Sequence, residues 1–131
     1  MAKLRTFSDL DFNMGAHPNT GDITRTYDTT AIKAAVQNLV RSNFYGRPFH
    51  PEKGSHIAGL LFENAGPVIE YAVEESIREV LKNWEPRVEH DTLVVVANFN
   101  ERENAFNCTV EFVIKGLLQP VTVDFLLERV R

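Results

Sequence analysis

The chain has 131 residues, 44% hydrophobic and 24% charged, which fits one compact domain plus an arm, with a core that needs no metal or disulfide. Its formal net charge is -4, and its 14 basic residues are scattered among 18 acidic ones, so the basic stripe of a DNA- or RNA-binding protein is missing. Cys108 is the single cysteine, which excludes an internal disulfide, and no segment approaches the ~20 apolar residues of a membrane span.

The first residues, MAKLRTFSDLDF, lack the apolar stretch of a signal peptide, which implies synthesis and assembly in a cytoplasm. Residues 1–28 show no sustained helical period, because Asn13, Gly15, Pro18, Asn19, Gly21 and Asp22 interrupt it with turn chemistry. They read as an extended N-terminal arm ahead of a domain over 29–131. Phe7, Leu10, Phe12 and Met14 are apolar, and at least one should anchor, either on the arm's own domain or on a neighbour.

Asp28, Thr29 and Thr30 offer N-cap oxygens to a first helix, whose apolar face is Ile32, Ala35, Val36, Leu39 and Val40. Arg41 lies near its negative end, and Gly46 and Pro48 stop it. Residues 45–55 form a loop in which two prolines stiffen the chain and Phe49 requires burial. A short helical turn over residues 56–63 follows, with Ser55 as its cap. Pro67 suits the first position of the longest helix, which buries Ile69, Val73, Ile77, Val80 and Trp84 and pairs Glu74 with Arg78 at i, i+4. Pro86 ends that helix.

The apolar period then changes to two. Residues 93–97 read as a strand buried on both faces, and 98–104 as a polar connection. Phe106, Cys108, Val110, Phe112 and Ile114 alternate with Asn107, Thr109, Glu111, Val113 and Lys115, and Val121, Val123, Phe125 and Leu127 alternate with Thr122, Asp124, Leu126 and Glu128. Short links favour an antiparallel meander. The expectation is an α+β fold: two main helices and a short helix packed on a small antiparallel sheet. The final strand should be an edge able to accept a strand from another chain, with Asp124, Glu128 and Arg129 discouraging indiscriminate pairing.

Catalytic chemistry finds little foothold. His17, His50, His56 and His90 form no HxxxH or HExxH pattern, so no metal site is expected, and Cys108 reads as a buried hydrophobe. No GxSxG or GK[ST] motif is present, and no cofactor is expected. Paired carboxylates for glycoside hydrolysis exist only in the sense that 18 acids always supply some, Glu63 and Glu85 among them. Trp84-Glu85-Pro86-Arg87 has two readings: a helix stop with an internal ion pair, or a rigid clip whose acid and planar fork grip a partner.

Gly46-Arg47-Pro48-Phe49 with Pro51-Glu52-Lys53-Gly54, then Leu60-Leu61-Phe62-Glu63, then Trp84-Glu85-Pro86-Arg87-Val88, form an ordered set. With it, the chain from about Thr30 onward resembles the baseplate wedge and sheath-initiator family of contractile-tail bacteriophages, to which a type VI secretion baseplate subunit is related. Lys53 departs from the family pattern, which has an aromatic before the glycine. The resemblance implies a structural, non-enzymatic subunit present in several copies in a sixfold virion tail baseplate. It implies that Glu85, Pro86 and Arg87 bind the helical core bundle of larger wedge subunits. It also implies that Val121, Val123, Phe125 and Leu127 belong to a strand-exchange region for the sheath protein, with a tube-side baseplate protein as a further partner. A small tail-associated peptidoglycan hydrolase of lysozyme type is the enzymatic alternative.

Overall fold

The computed structural model describes residues 7–116 and 119–128. Helix α1 spans Asp28–Arg41, α2 Ile57–Leu60 and α3 Pro67–Trp84. Strands β1 (Ser8–Leu10) and β2 (Arg25–Tyr27) form an antiparallel pair. Strands β3 (Val94–Asn100), β4 (Ala105–Val113) and β5 (Pro120–Glu128) form an antiparallel meander in the order β3-β4-β5. The α+β architecture and the meander therefore match the sequence pattern.

The arm is more regular than its composition suggests. Its two strands are bridged again at Ala16 and Ile23, and Gly21, at φ 69°, allows the tight turn between them. Phe7 packs against the core; Leu10, Phe12 and Met14 stay exposed. The amide of Phe7 donates to Asp28 Oδ1 at 3.1 Å and the Asp28 amide to the Phe7 carbonyl at 2.8 Å. This is why Asp28 does not cap α1 as expected. Tyr27 is the N-cap residue, and its side chain makes no capping hydrogen bond.

One core unites the helices with the inner face of the meander. Ile32, Val36 and Val40 of α1 and Val73, Ile77 and Leu81 of α3 meet Phe106, Cys108, Val110 and Phe112 of β4. Removing each such side chain from water contributes about 1.5–3 kcal/mol. Ala31 is fully buried, whereas Ala35 is only half-buried. Pro67 opens α3 as expected. The predicted Glu74–Arg78 pair does not form: Arg78 pairs with Glu75 one turn away, because Glu74 is engaged by β3.

Two strand expectations need correction. β3 is half-buried, not buried on both faces: Val95 and Ala97 enter the core while Val94 and Val96 are 53% and 42% exposed. It also continues through residues read as a connection, because Phe99 packs on Phe106 with ring centroids 5.2 Å apart.

Candidate docking surfaces

The first surface forms where α3 stops. Pro86 follows directly on the helix's C-cap residue, Glu85, which is 4% exposed. Arg87 turns back on Glu85: its Nε donates to Oε1 at 2.7 Å and an Nη donates to Oε2 at 2.9 Å. This bidentate fork is the geometry in which guanidinium and carboxylate bind most strongly. The Glu85 hydrogen bond pushes the Arg87 pKa up, burial opposes it, and the charges of Glu85 and Asp9 add to the rise. The guanidinium lies 5.5 Å from the Phe7 ring centroid, so the arm's anchor also positions it. The internal ion pair thus exists, and it leaves the acid covered while the base keeps 31% of its side chain exposed.

The loop between α1 and α2 meets this junction. Ser55 does not cap α2. Its hydroxyl donates to the carbonyls of Val40 (3.1 Å) and Ser42 (3.3 Å), satisfying groups left open at the end of α1. That staple draws Gly54 so close to Asn43 that a Cβ would sit 2.5 Å from the Asn43 carbonyl carbon. Lys53, next along, places Nζ 5.8 Å from the Trp84 ring centroid. Arg47, Lys53, Trp84, Pro86 and Arg87 thereby line one open groove of about 390 Å³ together with Asp9 and Glu85. Phe49, expected to be buried, is 92% exposed, because the loop's path is set by Gly54 and Ser55 instead.

The second surface is a sheet edge. Both β3 and β5 are outer strands of the meander, but they differ. On β3, the amide of Ala97 donates to Glu74 Oε1 at 3.0 Å and that of Phe99 to Glu70 Oε1 at 2.9 Å. Helix α3 therefore closes that edge with two carboxylates. No strand covers the far side of β5 among the described residues. Antiparallel strands alternate between residues that bond their neighbour and residues that point away. Since Ala97 and Phe99 point away from β4, the unbroken register makes their β4 partners Cys108 and Phe106 point toward β5. The backbone groups of Thr122, Asp124 and Leu126 then face off the free edge. The side chains of Val121, Val123, Phe125 and Leu127 are buried, at 8%, 3%, 7% and 6% exposure, and line no part of the groove. Arg129 lies outside the described residues.

Sequence reasoning missed the role of Glu70 and Glu74, although their i, i+4 spacing put both acids on one side of α3. It also missed the parity that assigns the outward backbone to Thr122, Asp124 and Leu126. The Cys108 thiol is buried, and burial pushes its pKa to about 12, with the charge of Glu74 adding to the rise. Among the described residues no cluster of three or more His, Cys, Asp or Glu is placed to hold a metal ion, and no helix is long and apolar enough to cross a membrane.

Residues 26–119 match the family model of baseplate wedge protein gp25. The chain belongs to this baseplate wedge family. The matched residues include the triplet, the Arg47–Gly54 loop, β3 and β4; β5 and most of the β1–β2 ribbon lie outside them. Baseplate wedge protein gp25 of Enterobacteria phage T4 is 29% identical over 97 residues, covering 74% of this chain and 73% of that protein. Two solved structures share the fold. A protein of Geobacter sulfurreducens described as a tail lysozyme aligns with a TM-score of 0.69 at 20% identity, over 76% of this chain and 89% of that one. A chain of the anti-feeding prophage baseplate aligns with a TM-score of 0.63 at 15% identity, over 95% of this chain and 87% of that one.

Proposed function

We propose that this member of the wedge family is a structural, non-enzymatic subunit of a contractile-tail baseplate. Several copies sit around a sixfold ring in the virion tail, assembled in the host cytoplasm. The Arg87 face docks on the core bundle of the larger wedge subunits, Glu85 holding the guanidinium in place and Pro86 fixing the spacing. The free edge of β5 receives a strand of the sheath protein and starts the sheath, while the subunit links it to the tube-side baseplate protein. A type VI secretion baseplate subunit would use the same fold and the same contacts.

The observation that supports this reading best is the asymmetry of the sheet: one edge is closed by α3, and among the described residues no strand pairs with the other. Such an edge invites strand addition. The hydrolase alternative gains nothing from Glu85, which is 4% exposed with both oxygens engaged by Arg87 and so out of reach of a glycan.

The docking role is tested by co-purification with the larger wedge subunits. Arg87→Ala alone strands the Glu85 carboxylate, so Glu85→Gln/Arg87→Ala is made beside it to remove the stranded charge. Both variants are expected to lose the wedge while circular dichroism shows a folded chain. Normal wedge incorporation by the folded double variant would refute the docking role. Peptidoglycan hydrolysis abolished by Glu63→Gln or Glu85→Gln would restore the enzymatic reading.

A further inference from the structure

We propose that the groove beside Arg87 recognises an acidic segment of the partner protein, with Arg47 and Lys53 as the residues that read its charge. The inference rests on the docking role and names the chemistry of what docks. Three cations line the groove against two carboxylates, Asp9 and Glu85. Glu85 is consumed by Arg87, to which it gives both oxygens. Asp9, on the exposed β1–β2 ribbon, accepts from the Leu10 amide through Oδ1 at 2.8 Å, and its charge acts on Arg87. Arg47 has no carboxylate partner among the described residues, and Lys53 has only the face of Trp84.

Lys53 is held there by structure, and Arg47 lines the same groove from the other end of the loop. Ser55 bonds the α1 carbonyls, Gly54 is pressed against Asn43, and the tightness of that turn brings Lys53 over Trp84. Neither cation is fully exposed, so part of the cost of ordering them is met before a partner arrives. The result is a small positive groove on a chain whose net charge is -4. That overall charge repels a long polyanion such as nucleic acid, whereas a short acidic stretch reaches the groove and little else. Carboxylates suit it: Arg47 and the remaining donors of Arg87 bind them as planar forks, and Lys53 as a point charge.

The test compares four full-length chains for retention of the co-expressed larger wedge subunits: wild type, Arg47→Gln/Lys53→Gln, Arg47→Glu/Lys53→Glu and Arg87→Ala. Thermal melts confirm that each is folded. The glutamine pair should weaken retention about tenfold and flatten its dependence on salt between roughly 50 and 500 mM, and the glutamate pair should abolish it. Wild-type retention by both pairs, with loss in Arg87→Ala, would overturn the acidic-segment assignment and leave the docking role standing. No retention even by wild type would overturn both. A single-stranded oligonucleotide is added as competitor; displacement of the wedge subunits by it would overturn the choice of a protein partner.

Discussion

Replacing Glu70 and Glu74 by alanine should both destabilise the fold and give the sheet a second sticky edge. Four residues of helix rise about 6.0 Å and two residues of strand about 6.6–6.8 Å, so side chains at i, i+4 on α3 match amides at j, j+2 on β3 with little adjustment. Their carboxylates accept from Phe99 and Ala97 at 2.9 and 3.0 Å. A hydrogen bond to a charged group is worth about 1.5–3 kcal/mol, and both acids are half-buried, so the lower end applies to each. The double alanine variant should lose about 3 kcal/mol in urea unfolding, and the double glutamine variant, which keeps an acceptor oxygen, about 1 kcal/mol. Hydrogen exchange should accelerate at the Ala97 and Phe99 amides, and size-exclusion chromatography with light scattering should show larger species than the parent. An unchanged urea midpoint with parental exchange at both amides would refute the idea that α3 seals β3.

Three further perturbations probe separate parts of the account. Thr122→Pro removes an amide that faces off the sheet, where proline is tolerated, so the chain should fold normally while baseplates carrying it nucleate no sheath in electron micrographs. Gly54→Ala must displace Asn43 backbone, since the new Cβ would lie 2.6 Å from its carbonyl oxygen; a loss of about 1–3 kcal/mol in thermal or urea unfolding is expected, with weaker wedge retention. Burial raises the Cys108 pKa from 9.0 to about 12, so the folded chain keeps a proton there that the unfolded chain has released. Stability should therefore fall as pH rises from 9 toward 12, a trend absent in Cys108→Ala, and the native thiol should resist Ellman's reagent until the chain unfolds.

The parts of the fold legible in the sequence are those where one local period decides. The α1 stripe from Ile32 to Val40 and the alternation of Phe106 to Phe112 each name a buried face without knowledge of the rest of the chain. Pro67 and Pro86 fixed both ends of α3 by backbone chemistry alone. What local pattern did not reveal were choices made between elements. Asp28 and Ser55 each carry an oxygen suited to a helix N-terminus, yet one is taken by the arm at Phe7 and the other by the last carbonyls of α1. Glu74 was equally able to pair with Arg78; the unpaired amides of an outer strand proved the stronger claim. Phe49 looked like a core residue by type, but a loop pinned at Gly54 and Ser55 leaves it in solvent. The triplet and the Arg47–Gly54 loop were separate motifs in the sequence, and their meeting in one groove follows from where α1 and α3 end.

As proposed, this chain works through a cationic groove and through the edge of β5, with which no further strand pairs among the described residues. The most direct measurement is a density map of an assembled baseplate with its first sheath ring. A foreign strand is expected about 4.7–4.9 Å from β5, bonded to the backbone of Thr122, Asp124 and Leu126, with a partner helix or loop against Arg87. A map in which β5 borders only solvent and the groove stands empty would contradict it.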